Sequence, residues 1–394
     1  MTEKLSEEDR AHMARALELA ARGLYTTDPN PRVGCVLVSA GEVIGEGWHE
    51  RAGEAHAEVA AIAAARRSVA GATAYVTLEP CNHTGRTAPC VDALIAARIG
   101  RVVCACIDPN TRVAGKGIER LRAAGISVAV GALGEEARAL NCGFFSRFER
   151  NRPLVRLKLA LSLDGRTASA KGGRMWISGE ASRADVQRWR ARSSAILTGA
   201  GTIRSDDPKL NVRLEYGSWV RQPLRVVLDP ALTCAADAQV FKGGGALVLA
   251  AETAPRASAL ASLAPDVELE RVPAAGRRLS LAAVMERLTA REVNELLVEC
   301  GPRLAAAFLE AGLVDELILY IAPILLGADA APLAALSRLG EQSALPTFDI
   351  TSAERLGEDL RIILRPRAPS SARSKGNDSG VDAGTGARFG AQGR

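Results

Sequence analysis

Apolar residues recur every three or four positions through residues 5–24, placing Met13, Ala16, Leu17 and Ala20 on one side of an expected helix. The pattern then changes period. VGCVLV, from Val33, predicts a strand, and GEVIGEGW predicts its hairpin partner. HAEVAAIAAARRS, from His56, predicts a helix; ATAYVTL, from Ala72, a strand; CVDALIAARIG, from Cys90, a second helix. RVVCACID, GIERLRAAG and ISVAVG continue as strand, helix and strand. Such alternation predicts a sheet covered by helices. The unit closes near Arg147–Arg150, where RFERNRP is polar and ended by Pro153. A second α/β unit opens at LVRLKLALSLDG. Its later strands are SAILTGA, PLRVVLD, ALVLAA, NELLVEC, DELILYIAPILLG and LRIILRP, with helices between several of them. No internal repeat relates the halves. The chain therefore divides into domains 1–150 and 151–365, with a tail over 366–394.

Composition supports this division. A length of 394 residues exceeds the ~100–200 of one ordinary domain. With 47% hydrophobic and 24% charged residues, the chain can bury real cores. The net charge of +5 is concentrated at the end. Pro366–Arg394 carries Arg367, Arg373, Lys375, Arg388 and Arg394 against Asp378 and Asp382, so the body alone is +2. The tail is Gly-, Ser- and Pro-rich and is expected to be disordered. A near-neutral body with 4% aromatics offers little to nucleic acid. No apolar run approaches the ~18 residues of a membrane span, and the first residues mix acids with bases, unlike a signal peptide. The expected location is cytoplasmic, with no membrane partner.

Eight cysteines in such a chain do not form an obvious disulfide framework. Cys35, Cys104, Cys106, Cys142, Cys234 and Cys300 default to packing. Cys81 and Cys90 differ. HAEV starts at His56, and EPCNHTGRTAPC runs from Glu79 to Cys90. One His and two Cys suit zinc and leave a fourth position for water, whose pKa the metal lowers to ~7. Glu58 can then move protons between that water, a substrate nitrogen and a leaving amine. One geometric condition applies. Residues two apart on a helix point about 200° apart, so His56 and Glu58 converge only if a helix begins there with its N-terminus in the site. Cys90 is likewise expected at a helix start, and Cys81 at a strand end.

His-x-Glu followed by Pro-Cys and a second Cys is the zinc-deaminase signature. Nucleic-acid and nucleoside deaminases carry a short Cys-x-x-Cys, whereas eight residues separate Cys81 and Cys90 here. With DPNPRVG at Asp28–Gly34, GEAHAE at Gly53–Glu58 and DPNTRVAGKG at Asp108–Gly117, this loop resembles the riboflavin-biosynthesis deaminases. The resemblance runs through NCGFFSR. It implies that Asn30 and His49 hold a pyrimidine, with His83 beside it, and that Arg86 and Thr87 meet a 5′-phosphate. From the residues alone, His49 could be a hydrogen-bonded hairpin-end histidine and Asn30 a turn residue.

ILTGAGTIRSDDP, from Ile196, runs a strand into a glycine turn, and VECGPRLAAAFLEAG does the same before a helix starting near Pro302. Each could be an ordinary tight turn or an anion site at a helix N-terminus. Together with LKLALSLDGRTA from Leu157, they resemble the reductase half of the same bifunctional family, from Pro153 to about Leu364. The resemblance implies a cytidine-deaminase-like α/β/α sandwich followed by a dihydrofolate-reductase-like α/β domain. It implies zinc and NADPH as cofactors, a pyrimidine ribosylamine phosphate as substrate and a homo-oligomer. Lys158, Asp206 and Glu299 would surround the reacting sugar. Arg174, Arg190, Leu210 and Arg213 would meet the substrate, the two latter arginines at its phosphate. Ala160, Trp176, Thr202, Asp206 and the turn Gly301, Pro302, Arg303, Leu304, Ala305, Ala306 and Ala307 would face the cofactor. Three positions depart from the family pattern: Arg174 and Pro230 stand where serine is usual, and Ala160 where glycine is. Asp164, in an Asp-Gly pair, could simply form a turn. The rival reading is a nucleic-acid-editing zinc deaminase fused to a non-catalytic module, which the charge, the few aromatics and the long Cys–Cys loop disfavour.

Overall fold

The computed structural model describes residues 5–83, 88–168, 175–214, 220–255, 267–336 and 346–367. Arg86, Thr87, Arg174 and the segment 368–394 lie outside these residues.

The first domain contains α1 (Glu7–Ala21), β1 (Gly34–Ser39), β2 (Glu42–Trp48), α2 (Ala57–Ala63), β3 (Thr73–Val76), α3 (Cys90–Ala96), β4 (Arg101–Cys104), α4 (Lys116–Ala123), β5 (Ser127–Val130), α5 (Gly134–Leu140) and α6 (Cys142–Glu149). Ser6 starts α1 with a capping box, its hydroxyl accepting from the Asp9 amide while the Asp9 carboxylate accepts from the Ser6 amide. The sheet order is β2-β1-β3-β4-β5, with β1 antiparallel to both neighbours and β3, β4 and β5 parallel. Alternate residues of β1 face opposite sides. Cys35 and Leu37 join Ala57, Ala61, Val91 and Leu94 in one core, while Val36 and Val38 join Met13, Ala16, Phe144 and Phe145 in another. Both faces are covered, which is why VGCVLV is apolar throughout.

The second domain contains β6 (Leu154–Ser162), β7 (Arg166–Ala168), α7 (Glu180–Arg192), β8 (Ala195–Gly199), α8 (Ala200–Asp206), β9 (Leu224–Leu228), β10 (Ala246–Ala251), β11 (Val267–Val272), β12 (Ala274–Ala275), β13 (Arg278–Leu279), α9 (Leu281–Ala290), β14 (Glu295–Glu299), α10 (Pro302–Glu310), β15 (Glu316–Ala322), β16 (Ala331–Pro332), β17 (Phe348–Leu356) and β18 (Asp359–Pro366). Its main sheet has the order β11-β10-β9-β8-β14-β6-β15-β18-β17. All neighbours are parallel except the last two pairs. From β8 the chain moves outward through β9, β10 and β11, then returns to insert β14 between β8 and β6. The sheet therefore reverses direction beside β8, where open α/β sheets bind ligands at their strand C-termini.

Several expected boundaries move. The helix from His56 stops at Ala63 rather than Ser68, because the chain turns back and the Arg66 amide donates to the Ile44 carbonyl. The strand expected through Leu78 ends at Val76, leaving Cys81 in the following loop. The strand over DELILYIAPILLG ends at Ala322, before Pro323, which cannot donate to a ladder. At Pro366, where the sequence reading starts the tail, the described structure continues for two residues. Pro366 closes β18, and Arg367 is held by an amide bond to the Thr347 carbonyl and an ion pair with Asp349. Among the described residues, no helix is long and apolar enough to cross a membrane.

Candidate active sites

His56 is the N-cap of α2, Glu58 lies in its first turn, and Cys90 is the first residue of α3. The geometric condition on His56 and Glu58 is met, because two helix N-termini point into one site. Cys81 reaches it from the loop after β3: the Cys90 amide donates to the Cys81 Sγ at 3.4 Å and the Val91 amide to the Cys81 carbonyl at 3.2 Å. His56 Nδ1 lies 3.1 Å from Cys90 Sγ and 3.5 Å from Cys81 Sγ. One ligand atom from each of the three lies within 4.8 Å of the others. This borderline-to-soft donor set fits zinc.

The surroundings set the protons. Cys90's hydrogen bond, with His56, lowers the Cys81 thiol to about 4, while Cys90 itself is pushed up. Burial raises the Glu58 carboxyl, and the Cys81 charge adds to the effect. Burial pushes Cys35 and Cys104 up, the behaviour of packed thiols. His49 follows β2 and donates from Nδ1 to the Ala55 carbonyl at 3.0 Å, so its neutral ring has an acceptor at Nε2, where the Asn30 amide lies at 3.0 Å. Burial holds its pKa down. His49 is thus a hairpin-end histidine and also a wall of the site, its ring 5.1 Å from that of His56. His83 Nδ1 is buried with no protein partner.

In the second domain, the C-termini of β8, β9 and β10 and the turn after β14 line a cavity of about 1270 Å³. Thr202, Gly301, Pro302, Arg303, Leu304, Ala307 and Pro230 are on its wall, as are Arg204, Thr233, Arg277 and Arg278, which sequence reasoning missed. No local pattern marks those four; only the strand order brings them together. The N-terminus of α10, with its positive dipole end, and the basic wall fit a dinucleotide phosphate cofactor. Ala305 and Ala306 point away into buried packing, and Trp176 is 62% exposed beneath the Arg183 guanidinium. Ala160 pairs with Tyr320 inside the sheet, Leu210 is buried, and Asp206 is exposed at the end of α8.

Glu299 and Lys158 are register partners on β14 and β6. Arg190, on α7, grips Glu299 with Nε at 2.6 Å and Nη2 at 2.9 Å, and gives Nη1 to the Asn211 carbonyl. Although burial opposes ionisation, Arg190 and Lys158 hold Glu299 at about 2. Burial lowers Lys158. Arg213 is more open, donating to Asn211 Oδ1. Asp164 accepts the Leu326 and Gly327 amides, so it is a turn-forming residue.

Residues 153–362 match the RibD C-terminal domain, and residues 6–106 match the cytidine and deoxycytidylate deaminase zinc-binding region. The riboflavin biosynthesis protein RibD of Escherichia coli (strain K12) is 46% identical over 368 residues, covering 91% of this chain and 99% of that protein. The solved RibD of Acinetobacter baumannii superposes with a TM-score of 0.86 at 42% identity, covering 92% of this chain and 99% of that one. A Thermotoga maritima structure described as a diaminohydroxyphosphoribosylaminopyrimidine deaminase/5-amino-6-(5-phosphoribosylamino)uracil reductase gives 0.81 at 34%, covering 91% and 99%. A family match within each half, in this order, and whole-length likeness to proteins that combine them, make the chain a member of the bifunctional deaminase–reductase family of riboflavin biosynthesis, which uses zinc in the first half and NADPH in the second.

Proposed function

We propose that the first half deaminates 2,5-diamino-6-ribosylamino-4(3H)-pyrimidinone 5′-phosphate. The second half would then reduce the product's ribosyl group, giving 5-amino-6-ribitylamino-2,4(1H,3H)-pyrimidinedione 5′-phosphate. The observation that carries this reading is the meeting of His56, Cys81 and Cys90 beside buried Glu58, at the ends of two helices.

His56, Cys81 and Cys90 would hold zinc, which when bound polarises a water and lowers its pKa. Glu58 takes a proton from the attacking water and gives it to the ring nitrogen, then moves the added hydroxyl's proton to the departing amine, so that a carbonyl forms and ammonia leaves. Asn30 donates to His49, which leaves its own carbonyl oxygen to accept from the pyrimidine. His83 offers its unpartnered Nδ1 to the same ligand. Arg86 and Thr87 belong to the 5′-phosphate by chemistry alone.

NADPH, when bound, supplies the hydride of the second reaction. Thr202 and Gly301–Leu304, at the opening of α10, hold its phosphates. Glu299, kept ionised by Arg190, fixes Lys158 beside the ribosyl group, with Asp206 at the rim. Arg213 meets the substrate phosphate, and Arg190 contributes only the N–H groups that Glu299 and Asn211 leave over.

The domains meet at about residue 150, between α6 and β6. The protein acts in the cytoplasm as a homo-oligomer; the exposed Ile350 and Leu360 of the outer β17–β18 hairpin leave apolar surface for a second copy. Sedimentation velocity checks the assembly. The activity itself is tested by following NADPH absorbance. Loss of absorbance with zinc-loaded protein and the diaminopyrimidine substrate, accompanied by ammonia, is the expected result. Absorbance loss without ammonia, or neither, would refute the two-step reading.

A further inference from the structure

Asn30 lies on the loop between α1 and β1, and much of what holds that loop comes from the other half of the chain. Two residues before Asn30, the Asp28 carboxylate accepts from the Ser194 hydroxyl at 2.7 Å and from Asn294 Nδ2 at 3.0 Å. Asn294 Nδ2 also donates to the Pro29 carbonyl at 2.8 Å, and Arg221 pairs with Asp28 at 3.3 Å. Two residues after Asn30, the Arg32 guanidinium donates to Glu295 at 2.6 Å and to the Arg192 carbonyl at 3.2 Å. Ser194 links these groups, since its hydroxyl also accepts the Asn294 and Glu295 amides at 2.9 and 3.0 Å. Ser194, Asn294, Glu295 and Arg32 are all buried.

From its own domain, the Asn30 amide bonds the Thr27 carbonyl, Asn141 brackets Arg32, the Arg32 guanidinium donates to the Leu140 carbonyl at 2.8 Å, and Asn30 Nδ2 meets His49. Asp28 and Arg32 flank Asn30 on either side, and both are seated on the reductase half.

We infer that Ser194 and Asn294, with Glu295, are positioning residues for deamination: the second domain shapes the loop that presents Asn30 to the pyrimidine. This rests on the reading of Asn30 as a pyrimidine ligand. Ser194 and Asn294 precede β8 and β14, whereas Gly199, Glu299 and Gly301 lie at the other ends of those strands. A strand advances about 3.3 Å per residue, so five residues put Ser194 and Asn294 some 16 Å from the reductase chemistry. A defect there should reach the neighbouring domain's reaction and spare its own.

The test compares full-length Ser194→Ala, Ser194→Thr, Asn294→Ala and Asn30→Ala, all zinc-loaded. Asn294→Ala and Ser194→Ala are expected to raise the deamination KM on the order of 10-fold with kcat less affected, as loss of hydrogen bonds to a charged group implies. Zinc content, the NADPH Kd and reduction of pre-deaminated substrate should stay within about twofold. Ser194→Thr, which keeps the hydroxyl, should restore most of the KM. If Asn30→Ala raises KM while both seat variants leave it within twofold, the inference alone is overturned. It is also overturned if deamination and reduction decline together, since that marks general destabilisation. If Asn30→Ala leaves KM unchanged, the reading of Asn30 fails and the inference falls with it.

Discussion

Glu58 is 3% exposed and faces no arginine or lysine among the groups that set its pKa; burial keeps its proton affinity high. A group so placed can move a proton without holding the metal. Glu58→Gln should therefore retain one zinc per chain by elemental analysis, while deamination falls about 10²–10⁴-fold, the usual worth of a placed acid–base group. Loss of the metal would make Glu58 structural. The two arginines assigned to the reductase phosphate should separate. Arg213→Ala is expected to raise the KM for the deaminated substrate about 10- to 100-fold with little change in Tm. Arg190→Ala should in addition lower stability by roughly 1–3 kcal/mol in urea denaturation, because it leaves the largely buried Glu299 with only Lys158 nearby. Equal Tm losses would refute the distinction. His56, Glu58, Cys81 and Cys90 were legible in the sequence because metal and proton chemistry restricts residue type and spacing. The Arg190–Glu299 pair was not, because its partners are 109 positions apart and nothing local marks either.

At the scale of elements, α2 sits close on β2 because Gly47 has no side chain. A Cβ there would fall 2.4 Å from the Ala61 nitrogen and 2.6 Å from the Ala57 carbonyl oxygen, both backbone atoms of the helix that carries Glu58. Gly47→Ala must push α2 outward and take His56 with it. Zinc affinity, read by competition with a chromogenic chelator, should weaken at least about tenfold, whereas NADPH reduction is unchanged. Unaltered zinc affinity would show that the helix can yield without moving its N-terminus. The hydrophobic pattern found β1 and β10 because both are apolar throughout, and it overran β15 because Ile324 and Leu325 continue the run beyond Pro323. It missed β17 altogether: TSAER, within Phe348–Leu356, is mostly polar, as suits an exposed edge strand.

Across the whole molecule, a single carboxylate collects much of the charge between the halves. Glu295 is fully buried with Arg32, Arg156 and Arg192 around it, and Arg156 also reaches Glu316, which Arg365 holds from β18. Burial opposes its ionisation, yet Arg192, Arg32 and Arg156 hold its pKa well below the usual range. Its carboxylate is therefore ionised in the folded chain at pH values where the unfolded chain has bound a proton. The stability it contributes is complete above the unfolded value of about 4.3 and drains away as pH falls below it. Urea midpoints measured from pH 7 to pH 3 should show a large gap between the wild type and Glu295→Gln at pH 7 that narrows below about pH 4.5. A constant gap would assign the stability to shape, not charge. The order of the two domains could be read from the sequence, whereas the strand reversal beside β8 and the charge cluster could not, since both arise from distant segments.

Gly143 opens the last helix of the first domain so close to β14 that a Cβ would stand 2.3 Å from the Glu295 Cγ and 2.7 Å from the Asn294 carbonyl oxygen. The two halves thus meet along a fitted seam, and they are not interchangeable cassettes. A chimera joined at residue 150 inherits Asp28, Arg32 and Gly143 from one parent and Ser194, Asn294 and Glu295 from the other. It should deaminate well only where the two sets match, however sound each donor domain is by itself.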